Sequence, residues 1–92
     1  MAQDPQIGYE IKATVLGVKG DCDAGHKEGE TFEISCFSAA GLCGWFYHEI
    51  FPSLQTFQFG GSLPWWKGDS IQLQCPDPKN LVTIQLQRSK RT

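Results

Sequence analysis

Tyr9, Ile11, Ala13 and Val15 alternate with Glu10, Lys12 and Thr14, which is the period of a half-buried strand. After Val15 the apolar positions slip by one to Leu16 and Val18 around Gly17, and a parity change beside a glycine reads as a β-bulge or sharp bend. Gly20 to Gly29 is polar and loop-like. The next segment, Gly29-Glu30-Thr31-Phe32-Glu33-Ile34-Ser35-Cys36, is echoed by Gly68-Asp69-Ser70-Ile71-Gln72-Leu73-Gln74-Cys75. Each opens on a Gly-acid turn and alternates polar with apolar residues, so each predicts a strand. Parity places Cys36 with Phe32 and Ile34, and Cys75 with Ile71 and Leu73, on the inward faces.

Leu42, Phe46, Ile50 and Leu54 recur every four residues, with Trp45 and Phe57 flanking the same side, as on an amphipathic helix. Ser38 is placed to cap its start. Pro52 removes a backbone donor inside the pattern, predicting a kink or two short helices that meet near Phe51. Gly60-Gly61 ends the helix, and Ser62-Leu63-Pro64-Trp65-Trp66 follows as an aromatic loop. Val82, Ile84 and Leu86 then alternate with Thr83, Gln85 and Gln87 behind the turn-forming Pro76-Asp77-Pro78-Lys79-Asn80. Residues 70 to 88 therefore read as a hairpin. The order strand, loop, strand, helix, strand, strand predicts an α+β fold, namely a small curved antiparallel sheet or partly open barrel with one kinked helical segment between strands.

The chain has 92 residues, a length that suits one domain, 1–92, with an ordered core over residues 8–88. Forty per cent of the residues are apolar and 20% charged, a balance that supports a buried core and argues against disorder. No apolar run approaches the roughly 20 residues of a membrane span. The N-terminus lacks the basic start and apolar stretch of a secretory signal, so a cytoplasmic location is expected. A net charge of −2 disfavours nucleic acid as a partner. Arg88, Lys90 and Arg91 form a short basic cluster near the C-terminus and read as a solvated, frayed end.

Four cysteines without an export signal point to metal or thiol chemistry more than to disulfides. Cys22 and His26 stand four apart with Gly25 allowing a tight turn, as a metal-ligand loop requires. Cys43 falls near the expected helix start, where backbone N–H groups face the sulfur and suit either a ligand or a nucleophile. Cys75 precedes Pro76, a frequent context of cluster ligands. The cysteines are separated by 13, 6 and 31 residues, which matches neither a zinc knuckle nor a ferredoxin run. A site would assemble in three dimensions from Cys22, His26, Cys43 and Cys75, with Cys36 as substitute ligand or core residue, and would suit zinc or an iron-sulfur cluster. Trp45, His48, Trp65 and Trp66 are candidates for an apolar pocket or a partner surface. His48 leans off the apolar stripe toward solvent.

Taken in order, the Cys22-Asp23-Ala24-Gly25-His26-Lys27 loop, Leu42-Cys43-Gly44, Tyr47-His48-Glu49-Ile50-Phe51-Pro52, Gly60-Gly61-Ser62-Leu63-Pro64-Trp65 and Cys75-Pro76-Asp77-Pro78 resemble a family of small uncharacterised prokaryotic proteins of similar length. The likeness runs from about Tyr9 to Arg88. It implies that Cys22, His26, Cys43 and Cys75 belong to the shared pattern, whereas Cys36 is less typical, and it supplies no mechanism. The leading expectation is a small cytoplasmic metal- or iron-sulfur-binding protein in redox or electron transfer, with a redox protein as partner. Two alternatives stand beside it. One is a small enzyme with a cysteine nucleophile or metal-bound water in a Trp-lined pocket; the other is a metal-free interaction module whose cysteines are core residues.

Overall fold

The structure, a computed structural model, describes residues 4–20, 27–77, 79 and 81–91. Strand β1 (Glu10–Val18) is followed by β2 (Thr31–Ile34), helix α1 (Gly44–Gln58), β3 (Ser70–Gln74) and β4 (Val82–Ser89). All four strands form one antiparallel sheet in the order β2-β1-β4-β3. The sheet is open and not closed into a barrel, and one helix lies between the strands, so the α+β expectation holds. The 70–88 hairpin is present, with Ile71 opposite Leu86 and Leu73 opposite Ile84. The irregularity expected at Gly17 is also present: β1 changes register against β4 between Val15 and Gly17.

One face of the sheet is apolar because parity repeats across all four strands. Ile11, Ala13 and Val15 of β1, Ile34 of β2, Ile71 of β3 and Val82, Ile84 and Leu86 of β4 are buried in one cluster with Phe46, Ile50, Leu54 and Phe57 of α1. The helix thus covers that face along its four-residue stripe. The opposite face carries Lys12, Thr14, Thr31, Glu33, Gln72, Gln74, Gln85 and Gln87, so water suits it and no second layer is required.

The helix differs from expectation at both ends of its first half. Its N-cap is Cys43, whose Sγ accepts from the Phe46 N–H at 3.4 Å, while Ser38 sits in a backbone bridge with Ser35. Pro52 lies inside a single helical span, so two separate helices do not form. Trp45 does not join the buried stripe; it is 57% exposed. The C-terminus closes as expected: Gly60 has φ +84°, its N–H donates to Phe57 O, and Gly61 N–H donates to Thr56 O at 2.8 Å, satisfying carbonyls that the helix leaves open.

Arg88 is not part of a frayed end. Its side chain is only 9% exposed, and Nη1 donates to the carbonyls of Phe57 at 2.9 Å and Gly61 at 2.8 Å. Nε donates to Asp69 Oδ1 at 3.0 Å, and the guanidinium lies 4.6 Å from the Phe57 ring centroid and 5.3 Å from that of Tyr9. A cation at the carbonyl end of a helix is also favoured by the helix dipole. Arg88 therefore ties α1, the Gly60-Gly61 turn and β4 together.

Candidate functional site

The aromatic loop after α1 builds a concavity beside the sheet. Trp66 donates its backbone N–H to Leu63 O at 3.0 Å and sets its ring edge-on to Phe57, 5.8 Å between centroids. Half-buried Trp66 thereby anchors the loop on the core. Its neighbour Trp65 stays 73% exposed. Between this loop, Ser53 of α1 and strand β3 runs a groove of about 430 Å³, lined by Leu63, Trp65, Trp66, Lys67, Ile71 and Leu73 among others. Among the described residues, Lys67 is the only charged side chain in that lining.

Strand β3 is an edge of the sheet. Cys75 N–H donates to Val82 O and Arg88 N–H to Asp69 O, so residues 69, 71, 73 and 75 direct their backbone groups to β4. By the alternation of an antiparallel ladder, Ser70, Gln72 and Gln74 direct theirs outward. Ser70 is already bridged to Lys67 across the Gly68-Asp69 turn. Gln72 and Gln74 are left facing the groove side of the edge.

The metal expectation is corrected by the placement of the cysteines. Among the described residues no group of three or more His, Cys, Asp or Glu side chains could hold a metal ion, so the zinc or iron-sulfur reading fails there. Cys75 is a core residue packed in the hydrophobic cluster. Cys43 caps α1 and packs against the same cluster. Cys36 follows the end of β2, where its N–H donates to Gln58 Oε1 at 2.8 Å. Cys36 and Cys43 are free thiols. Cys22 and His26 lie outside the described residues. The physical reason is that strand ends and a helix start can all be termini without being the same terminus, and the three described cysteines stand at three different ones.

A polar cluster surrounds Cys36. Ser35 Oγ donates to Asp4 Oδ2 at 2.7 Å and accepts from Phe37 N–H at 3.0 Å, while Tyr47 Oη donates to Ser35 O at 2.6 Å. The bond from Ser35 and a second from Gln6 N–H hold the Asp4 carboxyl below its ordinary value. Burial, and then the Asp4 charge, push the Cys36 thiol up, which keeps it protonated and a poor nucleophile. Burial likewise raises the Tyr47 hydroxyl.

His48 is exposed and lines a separate shallow hollow with Gly44, Tyr47, Phe51 and Pro52. The aromatic residues expected at a pocket thus divide: Trp65 and Trp66 share the groove, His48 lies in a different depression, and Trp45 stands in solvent on α1. Among the described residues, no cysteine or histidine lines the Trp groove. The edge backbone of Gln72 and Gln74 was missed by reading side chains alone; the cue was the uncharged run Ser70 to Gln74, unusual for an exposed edge.

Comparison with protein-family models, curated proteins and solved structures finds no match. No helix among the described residues is long and apolar enough to cross a membrane.

Proposed function

We propose that this domain is a metal-free interaction module that recognises a partner through the groove between the Trp65-Trp66 loop and strand β3. The observation that carries the reading is an exposed tryptophan, Trp65, held over an apolar cleft by a neighbour, Trp66, that is locked onto the core. Rigid aromatic anchors beside a preformed cleft are what binding hot spots use. The enzyme alternative is less well supported, because neither any of the described cysteines nor His48 lines the Trp groove. A redox partner has no cluster to serve among the described residues; a binding partner at the groove takes its place.

Two measurements test this. Treatment with a strong chelator should leave the melting temperature unchanged, and a fall would return a metal to the fold. Peptide-display selection on the immobilised domain should enrich binders that a folded Trp65→Ser domain does not retain. Equal enrichment on both domains would reject the groove as the recognition surface.

A further inference from the structure

We infer that β3 is an acceptor edge: an extended segment of a partner protein adds to it as a fifth strand, with an apolar side chain opposite Leu73 in the groove and a carboxylate two residues along, beside Lys67. The inference rests on the groove reading above and specifies its ligand.

Natural sheets protect free edges with charges, prolines, bulges or short strands. The two edges of this sheet differ in that respect. Strand β2 has four residues and presents the Glu33 carboxylate. Strand β3 runs Ser70-Ile71-Gln72-Leu73-Gln74 without charge or proline, and its pairing with β4 is continuous, without a bulge. Its outward N–H and C=O groups at Gln72 and Gln74 match the repeat of an added strand, in which every second residue exchanges hydrogen bonds. The residue between those two partners lies opposite Leu73, and its side chain falls on the same face as Leu73. That face is the groove, where Leu73, Leu63 and Trp66 offer apolar contact. The next side chain on the face lies opposite Ile71, at the end of the groove where the chain turns back through Lys67. A single ammonium among the described lining residues, the rest of which are uncharged, selects an acidic group there.

A second copy of this chain fits the edge poorly. A two-fold pairing that matches Gln72 to Gln74 sets Asp69 of each copy toward the Pro76-Asp77 turn of the other, acid against acid and interrupted by proline. A pairing centred on Gln72 needs Ser70, whose edge groups are already bridged to Lys67.

The test is titration of the isotope-labelled domain with acetyl-Thr-Thr-Phe-Thr-Glu-Thr-amide, followed by amide NMR and hydrogen exchange. Exchange at the Gln72 and Gln74 amides should slow at least ten-fold at saturation, with shifts at both Trp65 and Trp66 indoles. Changing the peptide glutamate to lysine should weaken binding about two- to five-fold, the scale of an exposed ion pair, and Lys67→Glu should reverse that preference. Gln72→Pro removes only an outward N–H and should abolish binding; because that variant could also perturb the strand, a peptide N-methylated at the residue opposite Gln72 should lose binding to the unaltered domain. Indole shifts without change at Gln72 and Gln74 would overturn strand addition while leaving the groove reading intact. Silence at the indoles and the edge amides up to millimolar peptide would overturn both. A concentration-dependent dimer in sedimentation that Gln72→Pro abolishes would make the occupant a second copy and overturn the heterologous partner.

Discussion

Replacing Arg88 removes three hydrogen bonds at once, among them one to the Phe57 carbonyl at the end of α1 and one to the Gly61 carbonyl in the turn after it. The Asp69 arm is exposed and contributes little, but the two carbonyls and the ring contacts are sheltered. Arg88→Ala is expected to lower the unfolding free energy by about 2–4 kcal/mol, read by urea denaturation. Arg88→Lys should recover only part, since an ammonium cannot present a planar fork to two carbonyls. Gln58 is the second such residue: fully buried, it accepts from Cys36 N–H through Oε1 and donates to Ile7 O through Nε2 at 3.1 Å. Gln58→Leu should cost about 1–3 kcal/mol by stranding both partners. Neither role was legible, because apolar periodicity is blind to buried polar ties and a basic terminal run ordinarily means solvent. Gln58 does sit four residues beyond Leu54 on the buried stripe, and that spacing was its only sign. Two carboxyls give the residue scale a pH dependence. Asp4 is held below its ordinary value of 3.8, so its contribution is present above that pH and lost as the pH falls through the lowered folded value. Glu33 is raised above 4.5, first by a hydrogen bond shared with Glu10 and then by that neighbour's charge. Its stabilising share is complete below 4.5 and disappears as the pH climbs through the raised value. Glu33→Gln should therefore stabilise the domain at neutral pH, whereas Asp4→Asn should destabilise it there and become neutral in acid, both read from melting temperature against pH.

Elements were easier to read than residues. Strand parity located β1, β3 and β4 and their inward faces, and the slip at Gly17 located the bulge, because a period of two needs only local information. The helix was legible as a stripe, but its start moved from Ser38 to Cys43. Ser35 and Ser38 bond each other through their backbones, which removes Ser38 from the cap, and a sulfur took the role usually given to oxygen. Pro52 tests how much that helix tolerates. It cannot donate to the carbonyl of His48, and its side chain is exposed, so Pro52→Ala should restore one backbone bond and stabilise by about 1–3 kcal/mol. Denaturant midpoints of the two proteins decide it; an unchanged or lowered midpoint would mean that the bend required by proline is what seats Phe46 and Leu54 together on the sheet.

For the whole molecule, the strand order was not legible. Periodicity says which face a strand buries and nothing about which strand it neighbours. The same limit explains the cysteine error: inward-facing sulfurs at element ends suggested a shared site, while the topology gives Cys75 to the core, Cys43 to the helix start and Cys36 to the turn after β2. A consequence for labelling follows. In native protein Cys75 should resist alkylation until the domain unfolds, while half-exposed Cys43 should react readily, as peptide mass spectrometry after timed quenching would show; rapid modification of Cys75 in folded protein would contradict its place in the core. The central pair of the sheet joins β1 to β4, with Glu10 beside Ser89, so the first strand made is completed by the last. A ribosome emits β1, β2, α1 and β3 before β4, the other half of that central seam, has been made. Until β4 emerges, β3 lacks its strand partner and β1 lacks its central neighbour, so the sheet cannot close before β4 is made, and a nascent chain stalled before Val82 should remain open to protease throughout.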